Sequence, residues 1–145
     1  AARDSQDFFL MARTDARASH GLDEALRRGE RYLKAGADGL FIEAPENLDE
    51  LRKVGETFRG VPQLANMLEG GRTPLLAPAD LAAMGFAMIG YPTTLLFRVA
   101  LTMEKALVDL KAGTLDLANE GVGFDTFKAI VNYADWADVE DRFGR

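Results

Sequence analysis

Cysteine is absent from all 145 residues. That excludes disulfides, thiolate metal sites and a cysteine nucleophile within this stretch, and it leaves the redox compartment open. A basic run is absent too. Seventeen Lys and Arg face 23 Asp and Glu, for a formal net charge of −6. That balance opposes binding to a phosphate backbone, so no nucleic-acid partner is expected. No apolar run is long enough to span a bilayer, because Arg, Asp or Pro breaks every candidate, and no membrane partner is expected. No secretory leader precedes the first apolar run, and the expected location is cytoplasmic. There is no opening Met either. Ala1-Ala2-Arg3-Asp4 reads as the last turn of a helix whose beginning is missing, and the expectation is a fragment of a larger polypeptide.

What the sequence does have is one pattern four times over: a short apolar run, a polar residue at its end, a loop, then a helix. The first run, 8–12, ends on Arg13. The stretch 14–21 reads as a loop, and 22–35 as a helix whose Leu22, Ala25, Leu26 and Leu33 share a face, stopped by Gly36. The second run, 39–42, ends on Glu43. Asn47 then offers an N-cap, with Glu50 as its capping-box partner, for a helix that carries Leu48, Leu51, Val54 and Phe58 and stops near Gly60. The third run, 61–65, ends on Asn66 and precedes a glycine-rich loop, 69–74, and a short helix over 78–84. The fourth, 86–90, ends at Tyr91-Pro92 and leads into a long helix from about 93 to 111. Two more helices are expected over 125–133 and 135–143.

The run ends recur at intervals of 30, 23 and 25 residues, the length of a strand, a crossover helix and the next strand in a parallel sheet. The runs are apolar throughout, as strands are when both faces are covered. Four such units make either a doubly wound sheet or half of a (β/α)8 barrel, since a whole barrel takes about 250 residues. The expected division is four βα units over 1–113 and a helical tail over 114–145, packed on the barrel or on a neighbouring subunit.

In barrels the working side chains sit at the carboxyl ends of strands and in the loops that follow. Arg13, Glu43 and Asn66 all fall there. They are a bidentate carboxylate binder, an acid or base, and a neutral hydrogen-bonding group. Any one of them alone is more simply a loop or ion-pair residue. Three in register along four repeats favour function. Asp15 is expected to make a loop turn. His20, the only histidine, lies just ahead of Gly21 and is expected to serve the loop or a cap. It has no ligand-spaced partner for a metal. The loop 69–74 has neither the Walker nor the dinucleotide spacing. It reads as a tight turn that places Asn66 and brings Met67 and Leu68 near a ligand. Arg98 divides evenly between a solvated arginine and a substrate contact. Tyr133, Trp136 and Phe143 are expected to be packing groups, with a subunit interface as one place for them.

Met11-Ala12-Arg13-Thr14-Asp15-Ala16, the stretch Gly36 to Pro45 and the stretch Leu64 to Pro74 resemble, in order and interval, three signatures of the isocitrate lyase / phosphoenolpyruvate mutase superfamily. The likeness is strongest to its branch of 2-methylisocitrate lyase, dimethylmalate lyase and petal death protein. It covers nearly the whole chain and is weakest after Gly113. The resemblance implies an α/β fold, the second half (strands five to eight) of a (β/α)8 TIM barrel with a helical C-terminal tail. It implies that Arg13 and Glu43 are catalytic and contact substrate, and that Asn66, Met67 and Leu68 line the pocket. Arg98 matches a substrate-binding arginine of the methylisocitrate lyases. A second arginine of those enzymes, in the tail, falls near Phe124 here, which weighs against a tricarboxylate.

The function so implied is a Mg2+-dependent carbon–carbon lyase acting on a short 2-hydroxy di- or tricarboxylic acid, giving a 2-oxo acid and a carboxylic acid. The Mg2+ ligands and the proton-donating cysteine loop of the family are expected in the N-terminal half, which is absent from this sequence. The partners implied are a small carboxylic-acid substrate and either a homo-oligomer, a tetramer with exchanged C-terminal helices, or the missing half. One alternative is a mutase, hydrolase or decarboxylase directed at phosphonopyruvate or oxaloacetate. Another is a non-catalytic half-barrel that lacks the metal and acid groups.

Overall fold

A computed structural model describes residues 5, 7–116 and 121–144. The apolar runs form four short parallel strands: β1 (Met11–Thr14), β2 (Gly39–Ile42), β3 (Leu64–Asn66) and β4 (Met88–Gly90). β1 pairs with β2 from Met11 opposite Gly39 to Thr14 opposite Ile42. β3 pairs with β4 from Leu64 opposite Met88 to Asn66 opposite Gly90. A single bridge, Leu40 opposite Gln63, joins the two pairs. All four strands run the same way, so their carboxyl ends lie at one end of the sheet.

The helices between them follow sequence cues, with some shifts. The ladder of β1 begins at Met11, and Phe8, Phe9 and Leu10 stay outside it, exposed. The Asp38 carboxylate accepts from the Leu10 N–H at 2.8 Å and so takes the amide that would have extended the strand. The stretch expected as loop after Arg13 contains a short helix, α1 (Ala16–His20). Thr14 Oγ1 accepts from the Ala16 N–H at 3.2 Å, and Gly21 at φ +85° ends the turn. α2 (Leu22–Lys34) buries Ala25, Leu26 and Gly29. The Phe58 ring occupies the space a side chain at Gly29 would need.

α3 (Leu48–Thr57) starts at Asn47, whose Oδ1 accepts from the Glu50 N–H at 2.9 Å. The reciprocal bond of the expected capping box is displaced by one residue. The Glu50 carboxylate accepts from the Glu46 N–H at 2.8 Å, because it also grips Arg17. β3 is shorter than its apolar run, since Pro62 has no N–H to donate and Gln63 turns inward. The buried Gln63 Nε2 donates to the carbonyls of Gly55 and Phe58 at the end of α3. α4 (Pro78–Met84) has Pro at its first turn and Gly85 at φ +105° just beyond it. Phe86, placed in the fourth strand by its run, packs in the core instead.

The chain packs as two compact units, Ala1–Arg98 and Val99–Arg145. The first holds the strands and a core of Leu40, Leu51, Val54, Met67 and Leu81, each 0–1% exposed. α5 (Thr94–Ala112) begins in the first unit and fills much of the second, which also contains α6 (Phe124–Ile130) and α7 (Tyr133–Phe143). None of the described residues of the second unit is buried. Among the described residues, no helix is long and apolar enough to cross a membrane.

Candidate active site

The parallel register brings the strand ends together. Arg13 lies opposite Phe41, Glu43 N donates to Thr14 O at 3.0 Å, and Met67 N donates to Gly90 O at 2.8 Å. Arg13, Glu43 and Asn66 therefore leave the sheet on the same side. The Arg13 guanidinium stacks 4.7 Å above the Phe41 ring. It also donates two bonds to Asp15, Nε to Oδ2 at 3.0 Å and Nη2 to Oδ1 at 2.8 Å. The pair shifts both partners: the hydrogen bond raises the Arg13 pKa and holds the Asp15 carboxyl below its usual range. Asp15 is thus the arginine's orienting partner rather than a simple turn residue. The pattern Arg-x-Asp at the end of an apolar run is the signal that could have identified it.

Glu43 is mostly buried. Its Oε2 lies 3.7 Å from Arg13 Nη2 and, although shielded from solvent, accepts no hydrogen bond. The backbone turns sharply just after it, with Ala44 in the left-handed region at φ +58°. That conformation costs an alanine of order 1 kcal/mol and is typical of places where a neighbouring side chain must be aimed. Glu43, Asn66 and Leu68 line one hollow of about 250 Å³ together with Gly71, Arg72 and Thr73. Met67 goes elsewhere. It is a core residue, 1% exposed, whose sulfur accepts from the Leu76 N–H at 3.4 Å. With Glu69, Tyr91 and Arg98 it lines a separate hollow of about 150 Å³. Arg98 pairs there with Glu69 at 3.7 Å. The structure thus brings Glu43, Asn66 and Leu68 into one hollow with Arg13 against Glu43, and places Met67 and Arg98 at another.

A chain of ion pairs escaped the sequence reading. Arg17 donates to both oxygens of Glu50, at 2.9 and 2.8 Å, and pairs closely with Glu46. Glu46 in turn lies 3.4 Å from Arg72. The chain Glu50–Arg17–Glu46–Arg72 therefore connects the segments after β1, β2 and β3. The Arg17 hydrogen bonds hold the Glu50 carboxyl below its ordinary range, and Glu50 with Glu46 raises Arg17 in return. His20 keeps a local role: its Nδ1 lies 2.7 Å from Ser19 Oγ in an exposed turn. A larger groove, about 480 Å³, lies between α3 and α4. Its walls are helical, and its charges, Arg52, Glu56, Arg59 and Asp80, are of both signs. Among the described residues no three acidic, histidine or cysteine side chains converge on a point that could hold a metal ion. The described residues therefore supply no such cluster for Mg2+.

Four parallel βα units with an arginine, an acid and an amide at one end of the strands define an α/β barrel-type chain. The family model of phosphoenolpyruvate phosphomutase matches residues 1–111, and the chain belongs to that family. It is 41% identical over 139 residues to the petal death protein of Dianthus caryophyllus, covering 94% of this chain and 43% of that protein. It is 43% identical over 137 residues to 2,3-dimethylmalate lyase of Eubacterium barkeri, covering 94% and 45%. Among solved structures, oxaloacetate acetylhydrolase in complex with 3,3-difluorooxalacetate superposes with a TM-score of 0.85 at 25% identity, over 95% of this chain and 46% of that one. The chain spans under half the length of these relatives.

Proposed function

We propose that this chain is the second half, strands five to eight, of a barrel enzyme that cleaves a carbon–carbon bond in a short 2-hydroxy dicarboxylic acid. Its four βα units over 1–113 form the half-barrel, and 114–145 form the tail. The observation that carries the reading is the strand-end set: Glu43 beside Arg13, lining one small hollow with Asn66. A carboxylate residue at such a hollow is placed to take a proton from a substrate hydroxyl. The kinship with dimethylmalate lyase supports the same reaction class.

In this reading Glu43 takes the proton of the 2-hydroxyl. The C–O bond becomes a carbonyl, the C2–C3 bond breaks, and its electron pair leaves with the second fragment as an enolate. Arg13, held by Asp15, carries the positive charge that stabilises developing negative charge. Asn66 and Leu68 line the substrate's position, Met67 supports them from the core, and Arg98 contacts substrate from the second hollow. Mg2+ and the acid that protonates the enolate come from outside this sequence, as does the partner: the remaining half-barrel, or a homo-oligomer with exchanged C-terminal helices.

The test is turnover of a panel of 2-hydroxy diacids by the full-length protein, read as release of 2-oxo acid. Cleavage is expected, with kcat reduced about 10²- to 10⁴-fold by Glu43→Gln. No cleavage of any member would overturn the reading. The likeness to oxaloacetate acetylhydrolase favours one second reading, hydrolysis of oxaloacetate. Oxaloacetate turnover without 2-hydroxy acid cleavage would select it.

A further inference from the structure

The loop between β3 and α4 carries a guanidinium that this mechanism leaves unused. We propose that Arg72 binds the second carboxylate of the substrate and thereby selects dicarboxylic over monocarboxylic acids, a role that rests on the lyase reading above and deepens it.

Charge inside the hollow is the first argument. Among its lining residues Glu43 is the one acid and Arg72 the one base, while Asn66 and Thr73 are neutral hydrogen-bonding groups. An anionic group entering beside the Glu43 carboxylate needs a compensating cation there. Arg13 does not line this hollow. It is held by Asp15 and touches Glu43 through the oxygen 3.7 Å away. Glu43 thus has an arginine on its Arg13 side and a second at the hollow, an arrangement that matches a ligand with a carboxylate at each end. The hollow's volume, about 250 Å³, admits a small acid, below the ~300–1,000 Å³ of pockets for drug-sized ligands.

How Arg72 is held is the second argument. Its contact with Glu46, 3.4 Å, is at the long end of hydrogen bonding, and its side chain is two-thirds exposed. Exposed pairs of this kind exchange at little cost. Glu46 is also paired with Arg17, so the departure of Arg72 strands no carboxylate. The loop itself is tightly wound. Gly70 takes φ +77°, and Gly71 N donates to Leu68 O at 3.0 Å, where a side chain at Gly71 would crowd Leu68. The backbone of Arg72 is therefore fixed at the rim, and its long side chain can rotate from Glu46 to a ligand. A guanidinium's planar fork then grips a carboxylate through two parallel bonds.

The experiment compares succinate and butyrate, acids of equal length that differ by the second carboxylate, as inhibitors of the full-length protein with magnesium. Arg72→Met is expected to weaken succinate at least tenfold and to change butyrate less than twofold. Arg72→Lys, which keeps the charge, is expected to recover part of the loss. Equal losses for both acids, or none, would overturn the role of Arg72 while 2-hydroxy acid cleavage by the unaltered protein continues. Failure of the unaltered protein to cleave any 2-hydroxy acid would overturn both this role and the function it rests on.

Discussion

Glu50 shows how a single side chain can hold two segments. Its carboxylate accepts both arms of Arg17 from beyond β1 and the Glu46 N–H from its own loop. Because those bonds need the ionised form, its folded pKa lies below the unfolded value of about 4.3. A depressed acid stabilises the fold above the unfolded pKa, and that contribution is lost as pH falls through the folded one. Glu50→Gln is therefore expected to lower stability by about 1–3 kcal/mol at pH 7. Its deficit should shrink as pH is brought from 5 to 3. Thermal melts of both proteins across that range check it, and a deficit that stays constant with pH would contradict the assignment. Sequence reasoning reached Arg13, Glu43 and Asn66 because each closes an apolar run. It could not reach Arg17 with Glu50, because their 33-residue separation has no local spacing rule and exists only once β1 and β2 lie side by side.

Between elements, α3 comes close to the end of α4. Gly55 faces the Met84 carbonyl so closely that a β-carbon would collide with backbone. Gln63 secures the same corner by donating to Gly55 O and Phe58 O. Overpacking against backbone has no flexible side chain to absorb it, so Gly55→Ala is expected to cost about 1–3 kcal/mol despite the better helix propensity of alanine. Denaturant unfolding measures the change, and a variant of equal or higher stability would show that the helices slide apart freely. The helices themselves were largely legible: Asn47, Pro78, Gly36 and Gly85 act at the ends where their chemistry places them. Strand lengths were not. Hydropathy marks which residues are apolar, whereas ladder bonds depend on competitors such as the Asp38 carboxylate and on donors such as the one Pro62 lacks. The helix α1 was missed for a similar reason, since Thr14 Oγ1 and Gly21 define it without any apolar periodicity.

At the scale of the whole molecule, the second unit leaves much apolar surface open. Leu101, Met103, Leu107 and Val108 of α5 are each 60–67% exposed, and Phe124 and Trp136 of the helices beyond it are 85% and 67% exposed. Apolar surface exposed on this scale is rare on monomers and marks surfaces that pair. The 145-residue chain alone is expected to associate, with Met103→Glu combined with Leu107→Lys shifting it towards smaller species in sedimentation velocity. A homogeneous monomer before any substitution would argue against shared C-terminal helices. The sheet of the first unit has its own division. Ladders bind β1 to β2 and β3 to β4, but a single bridge, in which the Leu40 N–H donates to Pro62 O at 2.9 Å, joins the pairs. The Glu46–Arg72 pair, the Gln63 side-chain bonds and apolar contact in the shared core add to it. Apolar attraction fades on cooling. Cooling is therefore expected to loosen this join.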